Sequence, residues 1–96
     1  MAISFTKSIV DRLNKEIAEI HIKSDNEKKK AEKALSKINQ LQKDMELSTS
    51  AHDLSSKMSR ISKLKANIQQ INFLQADLSQ QLVTKTAILN QQPQVQ

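Results

Sequence analysis

Residues 50–56, Ser-Ala-His-Asp-Leu-Ser-Ser, bring hydroxyls, an imidazole and a carboxylate together near the middle of the chain. Ser, His and Asp are the residue types of nucleophilic acyl transfer. That chemistry needs the imidazole held between nucleophile and carboxylate, with oxyanion donors nearby. His52 and Asp53 are adjacent, and neighbouring side chains on one helical turn point in different directions. No triad is expected here, and His52 is read as an exposed helix residue. His21 could ligate a metal, but one helical turn away it finds only Ile17, Ala18, Ser24 and Asp25. One His and one Asp do not close a metal site. Ser4-Phe5-Thr6-Lys7 has the Ser-x-x-Lys spacing of some acyl enzymes without their companion motifs. Met1, Met45 and Met58 are an initiator and two seam positions, core fillers rather than redox centres. No catalytic residue, cofactor or metal is expected, so the chain reads as a non-enzyme.

What remains is the scaffold that would position such residues. The 96 residues contain no Gly, one Pro, no Cys, no Trp and no Tyr. Hairpin turns that need positive φ are hard to build without Gly, so an all-β fold or a glycine-rich phosphate loop is excluded. Absence of Cys rules out disulfides and thiolate metal sites and fits a reducing, cytoplasmic setting. No apolar run approaches 18 residues, so no transmembrane helix is expected. The opening stretch, MAISFTKSIVDRLNKEIAEI, carries Asp11, Glu16 and Glu19. Those acids favour a partner helix over a membrane surface.

Apolar residues in the first half recur at steps of three and four. They run through Ile3, Val10, Leu13, Ile17, Ile20, Ala31, Ala34, Ile38, Leu41 and Met45, with Thr6, Ser24 and Glu27 as polar members. This is a heptad seam. Phe5, Ile9, Ile22, Leu35 and Leu47 are expected to widen it on the flanks. The second half repeats the pattern in Leu54, Met58, Ile61, Leu64, Ile68, Ile71, Leu74, Leu78 and Leu82, leading to Ile88 and Leu89. Gln75 and Lys85 fall near it. Between the halves, Ser50 and Asp53 form a Ser-x-x-Asp capping box. The hydroxyl accepts a backbone N–H, and the carboxylate can reach back to the N–H of the cap.

The sequence therefore predicts an all-α antiparallel two-helix hairpin, a coiled coil over 1–92. Its helices cover about residues 4–47 and 51–91, with a turn at about 48–50. Residues 93–96 form a flexible tail or the start of a linker, because Pro93 biases Gln92 away from helical geometry. Pairing outward from the turn sets Met45 beside Leu54, Leu41 beside Met58, Ile38 beside Ile61, Ser24 beside Gln75, Ile20 beside Leu78 and Ile17 beside Leu82. A lone hairpin has little core. A second hairpin is expected to cover its remaining apolar flank, giving a homodimeric four-helix bundle. Residues 66–96 hold twelve Asn and Gln with only Asp77 and Lys85 as charges, read as a polar outer face rather than an amide-rich contact surface.

The formal charge is +5, divided as +2 over residues 1–48 and +3 over 49–96. Lys28-Lys29-Lys30 is the only basic run, with Glu27 and Glu32 beside it. Interspersed charge of this kind marks a solvated helix face. Nucleic-acid binding is the least favoured reading, since no aromatic platform or motif accompanies the charge.

Residues 35–82 resemble the N-terminal helical region of bacterial TIR-domain proteins. The matching residues are Ile38, Leu41, Gln42, Thr49, Ser50, Leu54, Ser56, Lys57, Ile61, Ile71, Ala76, Asp77 and Leu78. Residues 12–23, RLNKEIAEIHIK, are similar to such regions as well. Ala51 stands where the family often has Pro. The resemblance implies an assembly module, part of a larger effector or standing alone, with NAD cleavage belonging to a TIR domain that these residues do not form. The alternative is a small helical partner or chaperone of a toxin or secreted protein.

Overall fold

A computed structural model describes the backbone of residues 2–92 and the side chains of residues 6–92. Helix α1 spans Ala2–Leu47 and helix α2 spans Ala51–Asn90. The two pack against each other as the predicted hairpin. No strand occurs among the described residues. Helix α1 begins slightly before the expected position and α2 stops just short of it. The expected tail at 93–96 lies outside the described residues, and the seam place of Ile3 and the flank place of Phe5 concern side chains outside those described.

The turn is built from three hydroxyl residues and needs no left-handed backbone, since no described residue has positive φ. The Ser48 N–H donates to the Met45 carbonyl at 3.2 Å, tightening the last turn of α1. The Ser50 N–H donates to Ser48 Oγ at 3.4 Å. Helix α2 then starts on its cap: the Asp53 N–H donates to Ser50 Oγ at 3.3 Å, and the Leu54 N–H to the Ser50 carbonyl at 3.0 Å. Hydroxyls thus occupy the backbone groups that a helix end leaves without partners. At the far end of α2, the Gln91 N–H is shared between the carbonyls of Ala87 and Ile88. The Gln92 N–H bonds to the Leu89 carbonyl, and its side-chain amide to that of Ile88.

The chain divides into two compact units, each pairing a stretch of α1 with a stretch of α2. One comprises Met1–Asp25 and Gln75–Gln96, and the other, Asn26–Leu74, contains the turn. In the first, Leu13, Ile20 and Leu78 are buried. In the turn unit, Ile38, Leu41 and Ile61 form the core, with Met45, Leu64 and Ile68 packed against it. Ala34 is buried beside them in the seam of α1.

The α2 seam corrects the sequence reading at one point. Apart from the half-buried Asp53 and Leu74, its buried and half-buried positions follow an unbroken heptad: 54, 57, 61, 64, 68, 71, 75, 78, 82, 85 and 89. Lys57, not Met58, occupies the first polar step, and Met58 is 58% exposed. Only position 57 keeps the three-four spacing between Leu54 and Ile61, and Met58 lies about 100° further round the helix. Expected flank residues diverge too. Ile22 and Leu47 each stand two residues from a seam position, about 200° round. Both are therefore exposed. Ile9 is half-buried, as a flank residue should be.

Candidate functional site

Four polar residues at the seam, Ser24, Gln75, Glu16 and Lys85, find partners across the two helices. Ser24 Oγ donates to Gln75 Oε1 at 2.6 Å, and Gln75 Nε2 donates to the Ser24 carbonyl at 2.7 Å. The pairing expected from counting outward from the turn is therefore made, by two reciprocal bonds between half-buried residues. Lys85 Nζ reaches Glu16 Oε1 at 3.4 Å across the helices, with both side chains about one-third exposed. No buried side-chain nitrogen or oxygen lacks a partner among the described residues.

At the turn, Lys57 Nζ bonds both carboxylate oxygens of Asp53, at 2.5 and 2.6 Å. This bidentate bond, then a hydrogen bond from the Ser48 hydroxyl, holds the Asp53 carboxyl below its ordinary value of 3.8. Only one arm of the predicted capping box is made. Ser50 accepts the Asp53 N–H, but the carboxylate turns to Lys57, and the Ser50 N–H is taken by Ser48 instead. The wrong turn of that carboxylate follows from charge: an ammonium one turn along α2 outbids a neutral amide.

No reactive arrangement forms around these residues. His52 and His21 are exposed on their helices, and Ser55 and Ser56 are exposed as well. No group of three or more His, Asp or Glu residues is placed to hold a metal among the described residues. Nor is any helix among them long and apolar enough to cross a membrane.

The predicted seam residues Val10, Leu13, Ile17, Ile20, Ile38, Leu41, Met45, Leu54, Ile61, Leu64, Ile68, Ile71, Leu78 and Leu82 are buried or half-buried, and Met58 alone of that set is exposed. Two flanks of the turn unit differ in character. One is a groove of about 500 Å³. Its floor is Ala34, Leu64, Ile71 and Leu74, and its rims are Lys30, Lys33 and Lys37 on α1 and Asn67 and Gln70 on α2. At Ala34 the groove floor carries only a methyl group where larger seam residues stand elsewhere. Lys30 and Lys37 immediately precede seam positions, as does Asn67 on α2. Leu35 and Met58 immediately follow seam positions, which puts them on the opposite flank. They are 52% and 58% exposed. Phe73 is also exposed in this unit, and Ile22, Val83 and Ile88 are exposed in the other.

The other unit holds a second recess, of about 570 Å³, edged by Arg12, Glu16, Gln81 and Lys85 over Leu13 and Ile88. Sequence reasoning missed both recesses. The small Ala34 was the available signal for the first.

No protein-family model, curated protein or solved structure matches the chain.

Proposed function

We propose that this chain is a non-catalytic coiled-coil module that associates with itself, a dimer being the simplest form. The observation that carries this reading is the incompleteness of its core. The seven most buried apolar side chains retain 3–8% exposure, and none is fully enclosed. The chain keeps 7474 Å² accessible to solvent, against roughly 5,600 Å² for a compact monomer of its mass. The difference, about 1,900 Å² per chain, exceeds the roughly 800 Å² per partner that a standard stable interface buries. Leu35 and Met58 on one flank of the turn unit are the side chains a second copy would cover first. This reading accords with the resemblance to the helical region of bacterial TIR effectors, in which such a region would assemble a larger cytoplasmic protein.

Light scattering of the full chain tests it. A mass of twice 10.9 kDa at micromolar concentration is expected. Leu35→Glu with Met58→Glu should return the mass to that of one chain while circular dichroism stays helical. A wild-type chain that is a folded monomer overturns the proposal. Copurification of a distinct neighbour with a monomeric chain would instead establish the partner or chaperone reading.

A further inference from the structure

Folding redistributes charge in a way the linear sequence conceals. The turn unit, residues 26–74, holds ten Lys and Arg against five acids. The other unit holds five against five. The whole net charge of +5 therefore belongs to the turn unit. Its groove concentrates the effect. Lys30, Lys33 and Lys37 edge it on α1, while the α2 rim is neutral amide. Glu27 is the one acid at the groove, and it is already bonded to Lys30 at 3.1 Å, with its side chain only 14% exposed. Lys33 and Lys37 keep their charge for a ligand.

We infer that this groove receives an acidic amphipathic helix from a different protein, completing a local three-helix bundle. The floor selects the occupant. Ala34, Leu64, Ile71 and Leu74 offer apolar surface, which a mobile polyanion does not use. Ala34 allows a third helix to approach closely, in the manner of a small residue under a packed ridge. Leu or Ile at i, i+3 and i+7 of the incoming helix would seat on this floor. Its Asp or Glu residues would lie along the lysine rim. A second copy of this chain does not suit the groove, because a symmetric contact would bring two lysine-rimmed patches of like charge together. The inference is independent of self-association through the opposite flank.

A fluorescent helical peptide with Leu at heptad a and d and Glu at e and g serves as probe. The same peptide with Lys for Glu is its control. Anisotropy is read against the full chain at low and high salt. The Glu peptide should bind and the Lys peptide should not, with binding weakened by salt. Lys33→Glu with Lys37→Glu should reduce affinity at least tenfold. Lys7→Glu with Lys23→Glu, an equal charge change in the neutral unit, should leave it within about twofold. All four positions are exposed, and circular dichroism checks that each variant is folded. The proposal is overturned if neither peptide binds, if both bind alike, or if the two double variants lose affinity equally. It is also overturned if duplex DNA or anionic vesicles compete with the Glu peptide at equal charge concentration, or if the Lys33/Lys37 variant abolishes self-association.

Discussion

The Ser24–Gln75 pair sets a measurable coupling between the helices. Its two bonds, 2.6 and 2.7 Å, are both partly shielded from water. A protein hydrogen bond contributes about 1 kcal/mol net, within a range of about 0.5–1.5. Ser24→Ala removes the shorter bond and leaves the Gln75 oxygen to whatever water can reach it. A loss of about 1 kcal/mol follows, or about 4–8 °C in Tm for a domain of this size. Gln75→Ala removes both bonds and the packing of two methylenes, so about 2–3 kcal/mol is expected. In the double variant the shared bond is lost once. The coupling energy should therefore be about 1 kcal/mol. Ser24→Ala with Gln75→Leu should recover most of the loss, because an apolar layer restores the heptad without polar groups to satisfy. Urea unfolding followed at 222 nm supplies the values, at one fixed chain concentration so that association does not shift the midpoint. A coupling energy indistinguishable from zero would refute the claim that these two side chains tie α1 to α2.

Other expectations rest on single features. Ser50→Ala should cost about 0.5–1 kcal/mol in the same urea assay, and Ser50→Gly only a few tenths, since the 3.3 Å cap bond is exposed. Asp53 carries a depressed carboxyl in the folded state. Its contribution is fully present above the ordinary carboxylate value and falls away as pH drops below it through the folded value. The gap in Tm between wild type and Asp53→Asn should therefore hold steady near neutrality and close on acidification below 3.8. Ile61→Ala should cost about 2–4 kcal/mol, because Ile61 sits in the core of the turn unit. Phe73→Ala, with Phe73 exposed on the same helix, should stay within about 0.5 kcal/mol.

The hairpin was legible because periodicity and capping agree. Heptad spacing on each side of Ser48-Thr49-Ser50 dictates two long helices, and counting outward from that turn brings Ser24 to Gln75. Lys57 was less visible. A polar residue at a seam position reads as a break in the pattern, and the adjacent Met58 offers itself as a substitute. Only the Asp53 carboxylate, one turn back on the same helix, makes Lys57 acceptable there. The basic groove was hidden for a different reason. Charges counted along the chain divide almost evenly between the two halves, whereas folding back joins residues 26–47 to 51–74 and leaves the other stretches neutral.

The polar seam residues explain why this hairpin has one register. A slip of α2 by one heptad in one direction would set Gln75 beside Ala31 and Lys85 beside Lys23. The amide would face methyl groups, and two like charges would replace the Glu16–Lys85 pair. A slip the other way would set Gln75 beside Ile17 and Lys85 beside Ile9, stranding an amide and an ammonium on apolar neighbours. Each stranded group costs about 1–3 kcal/mol. The apolar members resist such slips only weakly, since Ile, Leu and Val exchange for one another at most heptad steps. Affinity between the helices thus comes from the apolar seam, and the choice of alignment comes from Ser24, Gln75, Glu16 and Lys85.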